Sequence, residues 1–351
     1  MTALNLPPAE PGWVSVIVPC RNEARYIDAF CTSALAQQLP AGWQLELLVA
    51  DGQSDDGTRE RLQALAAADA RLRWVDNPGR IVSCGLNAAL QQSRGEVIVR
   101  MDVHTEYAPD YIAQCLAVLA ETGADNVGGP WHAVPEPGAG PMQQAVAAAF
   151  QSRWVAGGAR SRDLGFDGWV DTVYLGCWPR RVLAQHGGFD ESLVRNQDDE
   201  HNLRLTRAGA RVWQSSRIRS TYRPRARWVQ VFRQYQQYGY WKPFVMRKHG
   251  QAAALRQLVP GLFVAALGLA LLAWPLAGSG LLLGLLTLYA AAVAAMTGAV
   301  AASSDLDSAA VARVPAVIAA YHLGYGLGSL QGWWAVLRGQ GPQDRFARLT
   351  R

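Results

Sequence analysis

Charge is what this 351-residue chain has least of. Asp, Glu, Lys and Arg make up 17% of it, against roughly 25% in soluble globular domains, and the shortage is local. Between Arg256 and Asp305 run 48 residues with none of the four, and between Arg313 and Arg338 another 24. A fully soluble protein is not expected, because such stretches have no polar face to show water; buried core helices of a large soluble domain are the alternative. Cysteine is also sparse. The five residues, Cys20, Cys31, Cys84, Cys115 and Cys177, are odd in number and contain no CxxC. They read as reduced, mostly buried thiols of a cytosolic domain. The segment Met1–Trp13 lacks a basic n-region and an apolar h-region, so no signal peptide is expected. Aromatics are not lacking, and 13 Trp, 11 Tyr and 8 Phe exclude disorder as the dominant state.

The net charge of +5 matters less than its placement. Arginines gather in Arg217–Arg227, in Arg233–Arg256 and after Arg338, flanking the apolar segments. That pattern suits an anionic membrane surface rather than nucleic acid.

Strand and helix signals alternate over the first part of the chain. Val14–Pro19, Leu45–Ala50, Leu72–Val75 and Glu96–Met101 read as strands, and Glu23–Gln38, Thr58–Ala68 and Ile81–Gln92 as helices. Strands separated by helices of this length make βαβ units and a mainly parallel sheet, in which ligands bind at the C-terminal strand ends. Further helices are expected over Met142–Val155 and Asp198–Ala208. Trp228–Arg247, basic and aromatic at helical spacing, suits the membrane interface. Leu258–Ala277, Leu281–Ala302 and Val314–Leu337 are each long enough to span a ~30 Å hydrocarbon core. Three spans are expected on length and apolarity. The four arginines of Arg338–Arg351 pull the other way, since the positive-inside tendency favours two spans and an interfacial third segment.

The strand ends carry the candidate chemistry. Val18–Glu23 puts an amide and a carboxylate where the first strand turns into a helix. Asp51 ends the second strand, where Asp-Gly is also an ordinary turn signal. Ser54–Thr58 has an ordinary reading as the start of the next helix, kept for Asp56 in particular. Asp102 and His104 follow the fourth strand at i, i+2 spacing, and both side chains would face one ion if the extension continued. A carboxylate with an imidazole suits Mn²⁺ better than Mg²⁺. Asp198, Asp199 and Glu200 open a helix, where acids complement the dipole or supply a general base.

Taken together and in order, Val16–Glu23, Val49–Thr58, Asn87–Leu90, Asp102–His104, Gly188–Glu191 and Gln197–Arg204 resemble the family-2 inverting glycosyltransferases of the GT-A fold. Within them the chain is similar to the bacterial succinoglycan-type exopolysaccharide branch, which carries C-terminal membrane helices. The resemblance covers roughly Trp13 to Lys248, with a weaker echo in Tyr321–Gly332. It implies an α/β GT-A catalytic domain on the cytoplasmic side over residues 1–227, a basic-aromatic interfacial region at 228–257, a membrane domain of two or three helices at 258–337, and a basic tail at 338–351.

The resemblance also implies roles. Pro19 and Glu23 would line the nucleotide pocket, and Asp51 would bind the uracil end of a nucleotide sugar. Asp102 and His104 stand in for the family's Asp-x-Asp and would hold a divalent cation, Mn²⁺ or Mg²⁺, on the diphosphate. Asp198 falls at the family's catalytic aspartate, with Gln197 in place of the preceding Glu, and Arg204 matches the motif's arginine. Arg233, Gln234 and Trp241 resemble the processive synthases' Gln-x-x-Arg-Trp element only loosely. Their spacing does not match, which argues against a processive polymerase.

The implied enzyme is a multi-pass inner-membrane glycosyltransferase moving a sugar from a nucleotide donor, UDP-glucose or a close relative, to a lipid-linked saccharide in exopolysaccharide synthesis. Membrane lipids are expected partners and nucleic acid is not. A transferase acting on polyprenyl phosphate itself, and a membrane scaffold with a decayed catalytic domain, are the competing readings.

Overall fold

The four apolar runs followed by turn residues become the parallel half of a sheet. In the computed structural model, which describes residues 6–251 and 254–341, β1 (Glu10–Cys20), β2 (Gln44–Asp51), β3 (Leu72–Asp76) and β4 (Gly95–Arg100) lie parallel in the order β3-β2-β1-β4. The helices α1 (Ile27–Leu35), α2 (Thr58–Ala68) and α3 (Val82–Gln92) connect them. Val14, Val16 and Leu47 enter one core cluster, while Ile17, Leu48 and Ala50 enter another. That period of two, apolar on both faces, belongs to a sheet covered on each side.

Beyond β4 the sheet becomes mixed. After β5 (Thr105–Tyr107) and α4 (Tyr111–Thr122), β6 (Asn126–Gly129) joins the sheet, and β7 (His132–Ala133) follows. Later in the chain come β8 (Gly168–Val170) and β9 (Tyr174–Pro179), and β9 slots antiparallel between β4 and β6. After α6 (Arg180–His186) and α7 (Gln197–Arg207), β10 (Val212–Gln214) pairs parallel with β6 and antiparallel with β8. β11 (Ser220–Tyr222) pairs antiparallel with β5. The full order is β3-β2-β1-β4-β9-β6-β10-β8.

Two compact units divide the chain. One holds the described residues up to His132 together with Asp163–Tyr222, and the other holds Ala133–Arg162 together with the described residues from Arg223 on. The second unit therefore includes α5 (Pro141–Gln151), an excursion from within the region assigned to catalysis by sequence. It continues through α8 (Trp228–His249), α9 (Val259–Ala277), α10 (Gly280–Ala302), the short α11 (Ser308–Val311) and α12 (Val314–Leu337).

Among the described residues, two helices are long and apolar enough to cross a membrane, Leu255–Ala277 and Gly280–Ala302. Their leucines are bare, with Leu272 77% and Leu276 94% exposed. The third apolar segment behaves differently. α12 buries Val314, Val317, Ile318, Tyr321 and a series of glycines. Its glycines at every fourth position face α8: a Cβ on Gly324 would stand 2.6 Å from the Phe232 carbonyl oxygen, and one on Gly328 or Gly332 would collide with that of Gln236 or Tyr240. On α8, Gly239 returns the same close approach toward Tyr325. Matched steps of four on both helices mean that they run parallel with their backbones nearly touching. Much of α12's apolar surface is thus covered by protein, although its length and composition resemble a span. α8 likewise departs from a simple interfacial helix, since every residue from Gly239 to Met246 is buried. Of the proposed basic tail, residues 342–351 lie outside the described residues.

Two stability predictions follow from this packing. Gly328→Leu should cost at least about 1–3 kcal/mol through overpacking and lower the Tm of the detergent-solubilised protein. Gly268→Leu on α9, where a Cβ meets nothing within 4 Å, should leave Tm unchanged. In the first unit, His201 is 0% exposed between the rings of Trp178 and Phe189. Burial, reinforced by the nearby Arg204 charge, pushes its pKa down to about 3. The unfolded chain takes up this proton near pH ~6.5, so His201 contributes stability above that pH. The contribution is lost as pH falls from about 6.5 toward 3, by at most about 1.4 kcal/mol per pH unit. Equilibrium unfolding across that window should show His201→Phe with the flatter decline.

Candidate active site

The loops after β1 and β2 are tied into one wall. The backbone amide of Asn22, at φ 57°, donates to Ser54 Oγ (2.8 Å), and the Asn22 side chain donates to the Asp55 carboxylate (2.9 Å) and accepts from the Asp55 amide (3.1 Å). The Glu23 amide donates to Thr58 Oγ1 at 2.8 Å and the Ala24 amide to Asp56 Oδ2 at 3.1 Å. Asp56 also accepts from the Thr58 amide and hydroxyl. Burial works against ionising Asp56, yet the bonds from Thr58 and Ala24 hold its carboxyl below the usual range. The sequence Ser54–Thr58 therefore starts α2 and, in the same stroke, latches the β1 loop.

Asp51 sits inside that wall with no exposure. It pairs with Arg59 Nε at 2.9 Å and accepts from the Ser54 amide at 3.3 Å. Arg59 also binds Asp76 at the end of β3 and lies over the Trp74 ring, 5.1 Å from its centroid. The register sets Cys20 beside Asp51 and Pro19 beside Ala50. Pro19, Glu23 and Asp51 thus meet at the C-terminal ends of β1 and β2.

Asp102 emerges from β4 on the other side of β1. The chain does not stay extended there: the Thr105 amide donates to the Asp102 carbonyl at 3.1 Å, closing a turn that buries Val103. Asp102 and His104 are consequently corners of a turn rather than alternate residues of a strand. The Tyr107 hydroxyl accepts from the Asp102 amide at 2.7 Å and donates to its carbonyl at 3.3 Å, pinning the backbone. Burial and then the Asp102 charge keep this phenol well above its ordinary pKa, hence protonated. The Asp102 side chain meets Arg100, whose Nε and Nη2 each lie 3.3 Å from a carboxylate oxygen. His104 is exposed, with Nδ1 3.8 Å from Glu23 Oε1, which brings the β4 turn to the β1 loop.

Asp198 arrives from α7. The helix starts after Asn196, whose φ of 60° turns the chain sharply, and carries acids in its first turn and arginines in its last, as its dipole favours. The three acids separate in role. Glu200 is fully buried and pairs with Arg204 at 3.2 Å. Arg204 also binds the carbonyls of His186, Gly187 and Gly188, fixing the helix to the loop before Phe189. Asn87 holds the same loop from α3, accepting from the Phe189 amide and donating to Phe189 O and Glu191, each at 2.8 Å. Asp198 and Asp199 remain half-buried, and Asp198 lies close enough to act on the Arg100 guanidinium.

The Asn87–Leu90, Gly188–Glu191 and Glu200–Arg204 motifs are therefore braces that set α7, leaving Asp198 at its first turn. Arg59, Arg100 and Tyr107 escaped the sequence reading. The one visible signal was Arg100, a cation closing the otherwise apolar run Val97–Val99.

This arrangement matches known proteins. The profile of Glycosyl transferase family 2 matches residues 15–178. Succinoglycan biosynthesis protein ExoA of Rhizobium meliloti (strain 1021) is 33% identical over 247 residues, covering 70% of this chain and 73% of that protein. A Methanococcus voltae protein named dolichyl N-acetyl-alpha-D-glucosaminyl phosphate 3-beta-D-2,3-diacetamido-2,3-dideoxy-beta-D-glucuronosyltransferase is 22% identical over 244 residues, covering 67% of this chain and 74% of that one. Among solved structures, the mannosyltransferase PcManGT from Pyrobaculum calidifontis, in complex with GDP-Man and Mn²⁺, aligns with a TM-score of 0.56 at 21% identity, covering 94% of this chain and 90% of that one. Its likeness shows the GT-A fold. On its profile match and its likeness to ExoA, the chain belongs to glycosyltransferase family 2.

Proposed function

We propose that this enzyme transfers a sugar, with inversion, from a nucleotide-sugar donor to a lipid-linked saccharide at the cytoplasmic face of the membrane, in exopolysaccharide synthesis. The observation that carries the reading is Asp198, half-buried at the first turn of α7. That helix is braced by Arg204 against the same loop that Asn87 holds, and the strand ends of the sheet carry the Arg100–Asp102 pair. In such a sheet the donor is taken at the C-terminal strand ends. The likeness to a succinoglycan biosynthesis protein favours an exopolysaccharide product. The name of the Methanococcus relative, which specifies a dolichyl-phosphate-linked sugar, favours a lipid-linked acceptor. The two bare apolar helices favour anchorage where such a lipid is found. UDP-glucose or a close relative remains the proposed donor.

Inverting transfer forms a bond between an acceptor oxygen and the anomeric carbon while the bond from that carbon to the diphosphate breaks. Asp198 takes the acceptor proton as general base, from the face opposite the leaving group. Pro19 and Glu23 line the nucleotide side. Asp51, already paired with Arg59, acts there by fixing the wall that the base of the nucleotide meets. A divalent cation fits the donor set in one particular way. Among the described residues no group of three or more His, Cys, Asp or Glu is placed to hold a metal. Asp102 and His104 would supply two ligands, and the remainder would come from diphosphate oxygens and water, as is common for Mg²⁺ and Mn²⁺. Bound there, it would neutralise charge on the departing diphosphate.

Detergent-solubilised enzyme, incubated with UDP-sugar, divalent cation and lipid extract, should yield an oligosaccharide-lipid. A monosaccharide-lipid would instead assign the acceptor as polyprenyl phosphate, and no product with any donor would favour the scaffold. In that assay Asp198→Asn should lower turnover by about 10²–10⁴ while calorimetry shows UDP affinity nearly intact. His104→Asp, which replaces nitrogen by oxygen, should raise activity with Mg²⁺ relative to Mn²⁺. An unchanged ratio would remove His104 from the metal site.

A further inference from the structure

Between β7 and β8 the chain leaves the catalytic unit after His132 and returns at Asp163, and the excursion belongs to the second unit. Within that unit α5 meets α12, where the Tyr321 hydroxyl donates to the Val146 carbonyl at 3.4 Å. The peptide after α5 then closes a tight turn. The Ala156 amide donates to the Ser152 carbonyl at 3.1 Å and the Gly158 amide to that of Arg153 at 2.7 Å. Gly157 (φ 62°) and Gly158 (φ 76°) both lie in the left-handed region, where a Cβ would bring strain.

This turn buries Val155 but leaves Trp154 beside it 61% exposed. The Arg153 guanidinium lies over the indole ring, 5.0 Å from its centroid. An indole held in water forgoes a large apolar burial. Tryptophan is at home where a bilayer meets water, and an arginine stem can lie along apolar surface there with its charge among the headgroups.

The turn also has a defined neighbour. A Cβ on Gly157 would stand 3.5 Å from both Cβ and Cδ of Arg256, so that arginine's stem runs along the turn. Arg256 precedes α9 by three residues. Leu255 before it is 81% exposed and Val259 after it 62%. The turn therefore lies where the first bare apolar helix would enter a bilayer. Its charge is of one sign: Arg153, Arg160, Arg162 and Arg256 gather with no Asp or Glu in Ser152–Arg162 or in Gln251–Ser304.

We propose that the Arg153–Arg162 turn is a separate membrane contact of this protein, at which Trp154 enters the interface and Arg153 and Arg256 bind the phosphates of anionic lipid headgroups. This rests on the reading of α9 as a membrane anchor. Charge complementarity selects the lipid, since basic side chains without local acids are drawn to an anionic surface. Docked there, the turn would tether the catalytic unit through the chain crossings at His132 and Asp163, in addition to the one after Tyr222.

The test is a nitroxide label on the full-length enzyme, placed at Trp154→Cys or at Leu272→Cys on α9, in vesicles of phosphatidylcholine with or without phosphatidylglycerol. Four native thiols are buried and Cys84 is half-buried, and identically treated parent protein sets the background. In mixed vesicles the label at 154 should be open to oxygen, which partitions into lipid, and shielded from an aqueous nickel chelate. In phosphatidylcholine alone it should be open to the chelate. At fixed mixed composition Arg153→Gln and Arg256→Gln should each lower the ratio of docked to water-exposed label about fivefold, the effect of one basic residue at an anionic surface. Equal docking in both vesicles, or ratios unchanged in both variants, would overturn the proposal. A label shielded from oxygen and chelate alike would mean that protein, such as a second copy of the chain, covers the turn, and would overturn it too. A label at 154 open to chelate while that at 272 is in lipid would overturn this proposal and leave the anchor standing. A label at 272 open to chelate would overturn the anchor, and this proposal with it.

Discussion

The need to compensate buried charge at the C-terminal ends of parallel strands governs the catalytic unit. Three strands end there in a carboxylate or a cation: Asp51 closes β2, Asp76 closes β3 and Arg100 closes β4. Each is answered from a neighbouring element. Arg59, on α2, bridges Asp51 and Asp76, and Arg100 pairs with Asp102. Since an uncompensated buried charge costs several kcal/mol, the pairings of buried Asp51 and Arg100 constrain the loops, whereas Asp76 is exposed and its pairing weighs less. The latch from Asn22–Ala24 to Ser54–Thr58 extends the same logic, tying two strand-end loops with neutral and charged hydrogen bonds.

The helices of the second unit are held by a different force. α9 and α10 present bare leucine to their surroundings, whereas α12 meets α8 along a glycine seam. Such a seam gains its stability from close backbone packing rather than from removing surface from water. One composition therefore serves two purposes. A leucine-rich uncharged helix leaves its side chains exposed, and a glycine-rich uncharged helix packs on a partner helix.

The site joins residues of two kinds. Asn87, Glu200 and Arg204 belong to segments that resemble the family's motifs, and in this structure they brace the α7 loop. Asp102 and Asp198 stay half-buried and His104 stays exposed. Separating the two groups needs burial and hydrogen-bond partners, which spacing along a chain does not contain. Glu200 and Asp198 are two residues apart in one acidic run, and only the first is fully buried.

The order of strands and helices through β4, the span of α7 and the existence of long uncharged helices were legible in the sequence, because periodicity, turn residues and missing charge act locally. α4 and the short strands β5, β6, β8, β10 and β11 were not. Strands of a few residues hold their shape only through cross-strand partners distant in sequence. The antiparallel insertion of β9 is a tertiary decision of the same kind, as are the turn that reorients His104 relative to Asp102 and the covering of α12 by α8. Sequence determined which chemical groups were available and roughly where each strand ended. The tertiary structure decided which of them pair, as Arg59 does with Asp51 and Asp76, because the energy of a charge inside a protein depends on neighbours that only folding brings within reach.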